Sequence, residues 1–112
     1  MSTAPEPPLV REVFPDLVRE LIGLLEAEGE RELAICARDL RLVAACGCSD
    51  DFCQSFRTAP HQPGTPYGPG HRCLPLLPAK GDLVLDVVDG RIVYVEVLFR
   101  EPLRDARLRL PN

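Results

Sequence analysis

The segment that most constrains the fold is GDLVLDVVDGRIVYVEVLF, residues 81–99. Two runs rich in β-branched residues flank Asp89-Gly90. A two-residue hairpin turn that matches the right-handed strand twist needs positive φ at both central positions, and Asp-Gly supplies it at low cost. The segment therefore predicts a tight hairpin. With a regular ladder, Val87 faces Ile92, Leu85 faces Tyr94 and Leu83 faces Glu96. On the opposite side Asp86 lies across from Val93 and Val84 across from Val95. Both faces are then largely apolar, whereas a sheet with one wet face alternates apolar and polar residues. The hairpin is expected to be central and covered on both sides. Val84, Val93, Val95 and Val97 form the face left unclaimed by the rest of the chain, and that patch predicts a homodimer.

What precedes the hairpin supplies one covering layer. In FPDLVRELIGLLEAEGE, Leu17, Leu21 and Leu24 recur at helical spacing, joined by Val18, Ile22 and Leu25. Pro15 and Asp16 are start signals and Gly29 is a stop, so a helix is predicted over residues 16–28. ERELAICARDL repeats the pattern with Leu33, Cys36, Ala37 and Leu40, which predicts a second helix joined by a short link. Cys36 falls on its apolar side, where a thiol acts as a small hydrophobe. Strands are expected from Arg41 to Cys46, over FCQSFRT, and at the edge over RCLPLL, because Pro75 cannot donate to a central ladder. Pro102 opens either a short C-terminal helix or a strand. Residues 1–8 read as a flexible lead-in and residues 9–112 as one domain. The order of helices then strands predicts an α+β fold: two N-terminal helices packed on a mostly antiparallel sheet of four or five strands.

Between the strands lies APHQPGTPYGPG, residues 59–70, in which seven of twelve residues are Pro or Gly. No regular element fits it. Loops of this length inside a compact domain are usually functional or disordered. His61 and Tyr67 within it are the candidate partner-contacting side chains.

Three of the five cysteines fall in CGCSDDFC, residues 46–53. A hairpin turning at Ser49-Asp50 would set Cys46 opposite Cys53 and Cys48 opposite Asp51, with all three thiols on one side. Converging thiolates suit tetrahedral zinc. The candidate ligands are Cys46, Cys48 and Cys53, completed by His71 or Cys73 just after the long loop, or by His61 within it. A second reading is a redox pair of Cys46 and Cys53. Asp50 and Asp51 would disfavour the thiolate, which argues against a fast nucleophile. A third is plain packing in a tight turn.

Taken together, CGCSDDFC, YGPGHR and LVLDVVDGRIVYVEVL resemble a set of small bacterial proteins to which no activity is attached. The resemblance covers about the last two-thirds of the chain. It implies that the three motifs belong to one domain and brings no reaction with it.

Charge narrows the function classes. The chain carries 17 acids against 13 bases, a net charge of −4. Phosphate binding draws on clustered Lys and Arg, so nucleic acid is not an expected partner. No apolar run reaches the ~20 residues of a membrane span, and no secretory leader opens the sequence. The expected compartment is the cytoplasm, where thiols stay reduced. No phosphate loop, nucleophile elbow or dinucleotide fingerprint is present. The leading expectation is a small non-enzymatic module that binds a protein partner and needs no cofactor. A zinc-binding module and a thiol-redox protein are the alternatives.

Overall fold

The structure, a computed structural model, describes residues 6–45, 53–62, 64–101 and 103. Its fold is α+β. Three helices, α1 (Val10–Val13), α2 (Pro15–Ala27) and α3 (Arg31–Ala37), precede five strands. These are β1 (Ala44–Ala45), β2 (Phe56–Arg57), β3 (His71–Pro75), β4 (Asp82–Val88) and β5 (Arg91–Leu98). The strands form one sheet in the order β1-β2-β5-β4-β3, antiparallel throughout.

The β4–β5 hairpin sits inside the sheet, between β2 and β3, but only its inner face is buried, so the expectation of cover on both sides is not met. Asp89 and Gly90 both have positive φ, 50° and 80°, the signature of the twist-matched two-residue turn. Val87 lies opposite Ile92, as a regular ladder requires. Beyond that point the register departs from expectation. Asp86 pairs with Tyr94, Leu85 with Val95 and Leu83 with Val97, because a β-bulge leaves Val93 as an extra residue. One inserted residue sends every later side chain to the other face. Val95 and Val97 therefore point at the helices and are fully buried, together with Leu83, Leu85, Val87 and Ile92. The patch of four valines expected on the outer face does not form: only Val84 and Val93 remain half-buried there. The reason for expecting a homodimer goes with it. The bulge is anchored from just past β2, since the Thr58 N–H donates to the Val93 carbonyl at 3.0 Å and its hydroxyl to the Ile92 carbonyl at 2.7 Å.

The helices cover one face only. Pro15 occupies the first turn of α2, where its missing N–H costs nothing. Leu17, Val18, Leu21 and Leu25 of α2 and Leu33, Ala34 and Ala37 of α3 meet the hairpin and Phe56 in a single core. Phe14 and Phe56 bring the layers together with ring centroids 6.1 Å apart. Arg100, just past β5, reaches back to Glu20 on α2 at 3.0 Å.

Two expectations at the start of the chain need correction. The second helix stops at Ala37, short of the pattern that runs to Leu40. The Val10 N–H donates to the Leu40 carbonyl and the Leu42 N–H to the Pro8 carbonyl, each at 2.8 Å. Those bonds hold residues 40–42 extended beside the entering chain, with Leu9 bridged to Arg41. Pro7 and Pro8, read from sequence as lead-in, are thus fastened. The Arg41 guanidinium also donates to the Pro7 carbonyl at 2.8 Å. The expected turn at Ser49-Asp50 lies outside the described residues; it would set Ala44 opposite Ser55. Ala44 instead lies opposite Arg57, two residues farther along. A shift of two keeps each side chain on its face.

The sheet edges differ from its centre. β1 is two residues long and exposed. Just after β3 the Leu76 N–H reaches the Leu83 carbonyl at 2.8 Å, so by alternation the Pro75 nitrogen faces the open edge. The C-terminal element expected after Pro102 lies outside the described residues. Among the described residues no helix is long and apolar enough to cross a membrane.

Candidate functional site

The outer face of the sheet, away from the helices, carries the polar side chains that β alternation sends there. Arg57 pairs with Tyr94, Tyr94 with Asp86, and Asp86 with Cys73, giving one row across four strands. His71 lies two residues before Cys73 on the same face. Asp86 sits at the centre of this row. Its Oδ1 is 2.8 Å from His71 Nε2, and the two side chains are 24% and 32% exposed, enough shielding for the bond to hold the ring in one orientation. At the other end the Arg57 guanidinium lies 4.9 Å from the Tyr94 ring centroid, a cation–π contact.

The Pro/Gly loop folds down onto this row. Tyr67 inserts between two imidazoles. Its ring centroid is 4.5 Å from that of His61 and 4.6 Å from that of His71, with interplanar angles of 30° and 29°. Offset aromatic contacts of this kind contribute about 0.5–1.5 kcal/mol beyond the area they bury. The Tyr67 hydroxyl accepts a hydrogen bond from Arg57 at 3.2 Å. His61 Nε2 donates to the Thr65 carbonyl at 2.8 Å, and the Thr65 hydroxyl donates to the Gln62 carbonyl, which closes the loop on itself. At the loop's end the Asp89 N–H donates to the Gly70 carbonyl, tying it to the hairpin turn. The described residues of this loop are thereby tied down by three aromatic rings, one arginine and one aspartate.

His61, Tyr67, His71 and Cys73 are thus on or beside one surface. The metal-ligand set expected from the sequence is not assembled in the same way. Cys53 is bridged to Leu98, which pairs with Asp82, whereas Cys73 is paired with Asp86. Three strand spacings of ~4.8 Å and four residues of ~3.4 Å put Cys53 and Cys73 about 20 Å apart. Ligands of one zinc ion sit about 4 Å from each other, given Zn–S bonds of ~2.3 Å. Cys53 and the His71–Cys73 pair therefore cannot serve one ion. The Cys53 thiol instead donates to the Ser55 hydroxyl at 3.4 Å, and that hydroxyl also accepts from the Val97 N–H. Cys46 and Cys48 lie outside the described residues. Among the described residues no group of three or more His, Cys, Asp or Glu side chains gathers as metal ligands would.

Chemically, an imidazole fixed by a carboxylate can position a proton. No hydrogen bond among the described residues joins it to the Cys73 thiol, which is exposed on the edge strand. Sequence reasoning missed Arg57 and Tyr94 as members of the site and left Asp86 without its partner. Parity along β4 was a usable signal for Asp86. For Tyr94 the bulge hid it. A scan against family models finds no match to this chain, and comparisons with curated proteins and with solved structures find none.

Proposed function

We propose that the chain is a non-enzymatic protein-interaction module whose recognition surface is the Pro/Gly loop seated on the outer sheet face. The observation that carries this reading is the insertion of Tyr67 between His61 and His71, with its hydroxyl held by Arg57. A loop ordered before binding loses little conformational entropy when a partner arrives, so its contacts count towards affinity. The exposed residues Gln62, Gly64, Thr65, Pro66, Gly68 and Pro69 present that fixed shape to solvent. Asp86 is engaged in orienting His71, so this carboxylate–imidazole pair serves the loop. An exposed thiol at Cys73 favours a reducing compartment, in keeping with a cytoplasmic protein.

The test places a photo-crosslinking residue at Pro66 in the full chain, with Glu32 on the helix side as control. The expected result is a discrete crosslinked protein at Pro66 that is absent at Glu32 and lost in Tyr67→Ala. Identical crosslinking patterns at the two positions, or persistence in Tyr67→Ala, would remove the loop as the recognition surface.

A further inference from the structure

Prolines recur at every third position through the long loop: Pro60, Pro63, Pro66 and Pro69. Three residues per turn is the repeat of the polyproline II helix, in which such prolines form one ridge. The chain does not follow that helix here. Gly64 and Gly68 have φ of +81° and +93°. Turn hydrogen bonds of 3.2 Å run from the Thr65 N–H to the Gln62 carbonyl and from the His71 N–H to the Gly68 carbonyl. Between and after these bends Pro66 and Pro69 are left exposed, and in sequence they flank Tyr67, whose ring is stacked on His61 and His71. The anchoring ring thus fixes where two proline rings meet the solvent.

The chemistry of this tip is narrow. Residues 58–70 contain no Asp, Glu, Lys or Arg, in a chain with 17 acids and 13 bases. A partner therefore finds no charge in the loop to pair with. The tip is also short of donors. Prolines have no N–H, and both the N–H and the hydroxyl of Thr65 are spent on the Gln62 carbonyl. Acceptors remain: among the described residues no hydrogen bond reaches the Pro66 or Pro69 carbonyl. Burying those carbonyls against Leu or Phe would leave them unpaired, at a cost in binding. Lys or Arg would bring donors, together with a charge that nothing in residues 58–70 balances. Trp and Tyr alone join a broad apolar face, for the proline rings, to an N–H or O–H at its edge, for the carbonyls. We propose that the partner meets Pro66 and Pro69 with a groove lined by Trp or Tyr. This is how proline-rich segments are read elsewhere, with the polyproline II helix replaced here by a loop preset through Tyr67. The proposal rests on the loop being the recognition surface and adds the chemistry of what it recognises.

The test titrates the isotope-labelled full chain with four small probes, followed by amide chemical shifts. They are N-acetyl-tryptophanamide, the same compound methylated on the indole nitrogen, N-acetyl-cyclohexylalaninamide and N-acetyl-argininamide. Saturable shifts are expected at Thr65, Tyr67 and Gly68 with the tryptophan probe. Its methylated form should bind about threefold or more weaker, because it keeps the ring and loses the donor. The cyclohexyl and arginine probes should leave the loop unmoved. Replacing both exposed prolines, Pro66→Ala with Pro69→Ala, should weaken the tryptophan probe about fivefold or more. Unchanged shifts in the sheet will show that this variant is folded. The proposal is overturned if the tryptophan probe gives no saturable shift in the loop, if methylation changes nothing, if the cyclohexyl or arginine probe binds there as well, or if the double variant binds normally. A protein crosslinked at Pro66 alongside an inert tryptophan probe would overturn this proposal and leave the loop as the recognition surface. Absence of any crosslink at Pro66 would remove both.

Discussion

Two glycines show how differently one atom can cost at neighbouring turns. A Cβ on Gly70 would meet Oδ1 of Asp89 at 2.0 Å, but that carboxylate is exposed and can rotate away. A Cβ on Gly81 would meet the Leu98 and Phe99 carbonyls at 2.5 and 2.7 Å, and Gly81 also has φ of +69°. Backbone cannot step aside as a side chain can. Gly81→Ala should therefore cost about 1–3 kcal/mol and Gly70→Ala clearly less, measured by urea unfolding. At the helix–sheet seam, Arg72 donates to both carboxylate oxygens of Glu30, at 2.9 and 3.2 Å. Those hydrogen bonds hold the Glu30 carboxyl below its ordinary value of 4.5. A depressed carboxyl stabilises the folded chain above the unfolded value and loses that contribution as pH falls through the folded one. The stability difference between the unmodified chain and Arg72→Ala should therefore shrink as pH drops below about 4.5. The Glu30 side-chain titration, followed by NMR, should move upward in Arg72→Ala. A difference that stays constant into acid would show that the pair contributes nothing.

Among the elements, the hairpin offers the sharpest contrast between its faces. Val95 is fully buried against the helices, while Val84 on the outer face is half-buried. Val95→Asp should cost at least ~3 kcal/mol, because it buries an unpaired charge, and Val84→Asp should cost under about half as much. Equal costs in chemical denaturation would mean that the outer face is as dry as the inner one. The same hairpin shows what the sequence could and could not reveal. Turn chemistry is local, so Asp89-Gly90 and the Val87–Ile92 pair were legible. The bulge at Val93 was not, because it depends on Thr58, far away in the chain, capturing the Ile92 and Val93 carbonyls. A single extra residue then reassigned Tyr94 to the site and Val95 and Val97 to the core. The first long helix was legible to within a residue from its apolar stripe and Pro15. The end of α3 was not, since bonds from Val10 and Leu42 decide it. For the candidate site, His61, Tyr67 and His71 stood out as residues in or beside an unusual loop. Their stacking rests on tertiary geometry that no spacing encodes.

Across the whole molecule, the strands join in an order the chain visits late. β2 cannot find its place until β5 exists, because Phe56 pairs with Val95. The Glu20–Arg100 contact likewise fastens the first long helix to the end of the last strand. An apolar hairpin held this way, in a small chain, needs neighbours on both sides, and its outermost neighbours on the two sides are β1 and β3. β1 offers two residues, and β3 turns the protonless nitrogen of Pro75 outward beside His71 and Arg72. Strand addition at that border gains few hydrogen bonds, which is how sheets discourage templated growth. The proline thus bears on the solubility of the chain in a crowded cell, apart from any partner it recognises. Pro75→Val would return a donor and a β-former to the border. It should leave folding stability nearly unchanged yet speed the appearance of thioflavin-positive aggregates on mild heating, and an unaltered lag time would show that the border is guarded by something else.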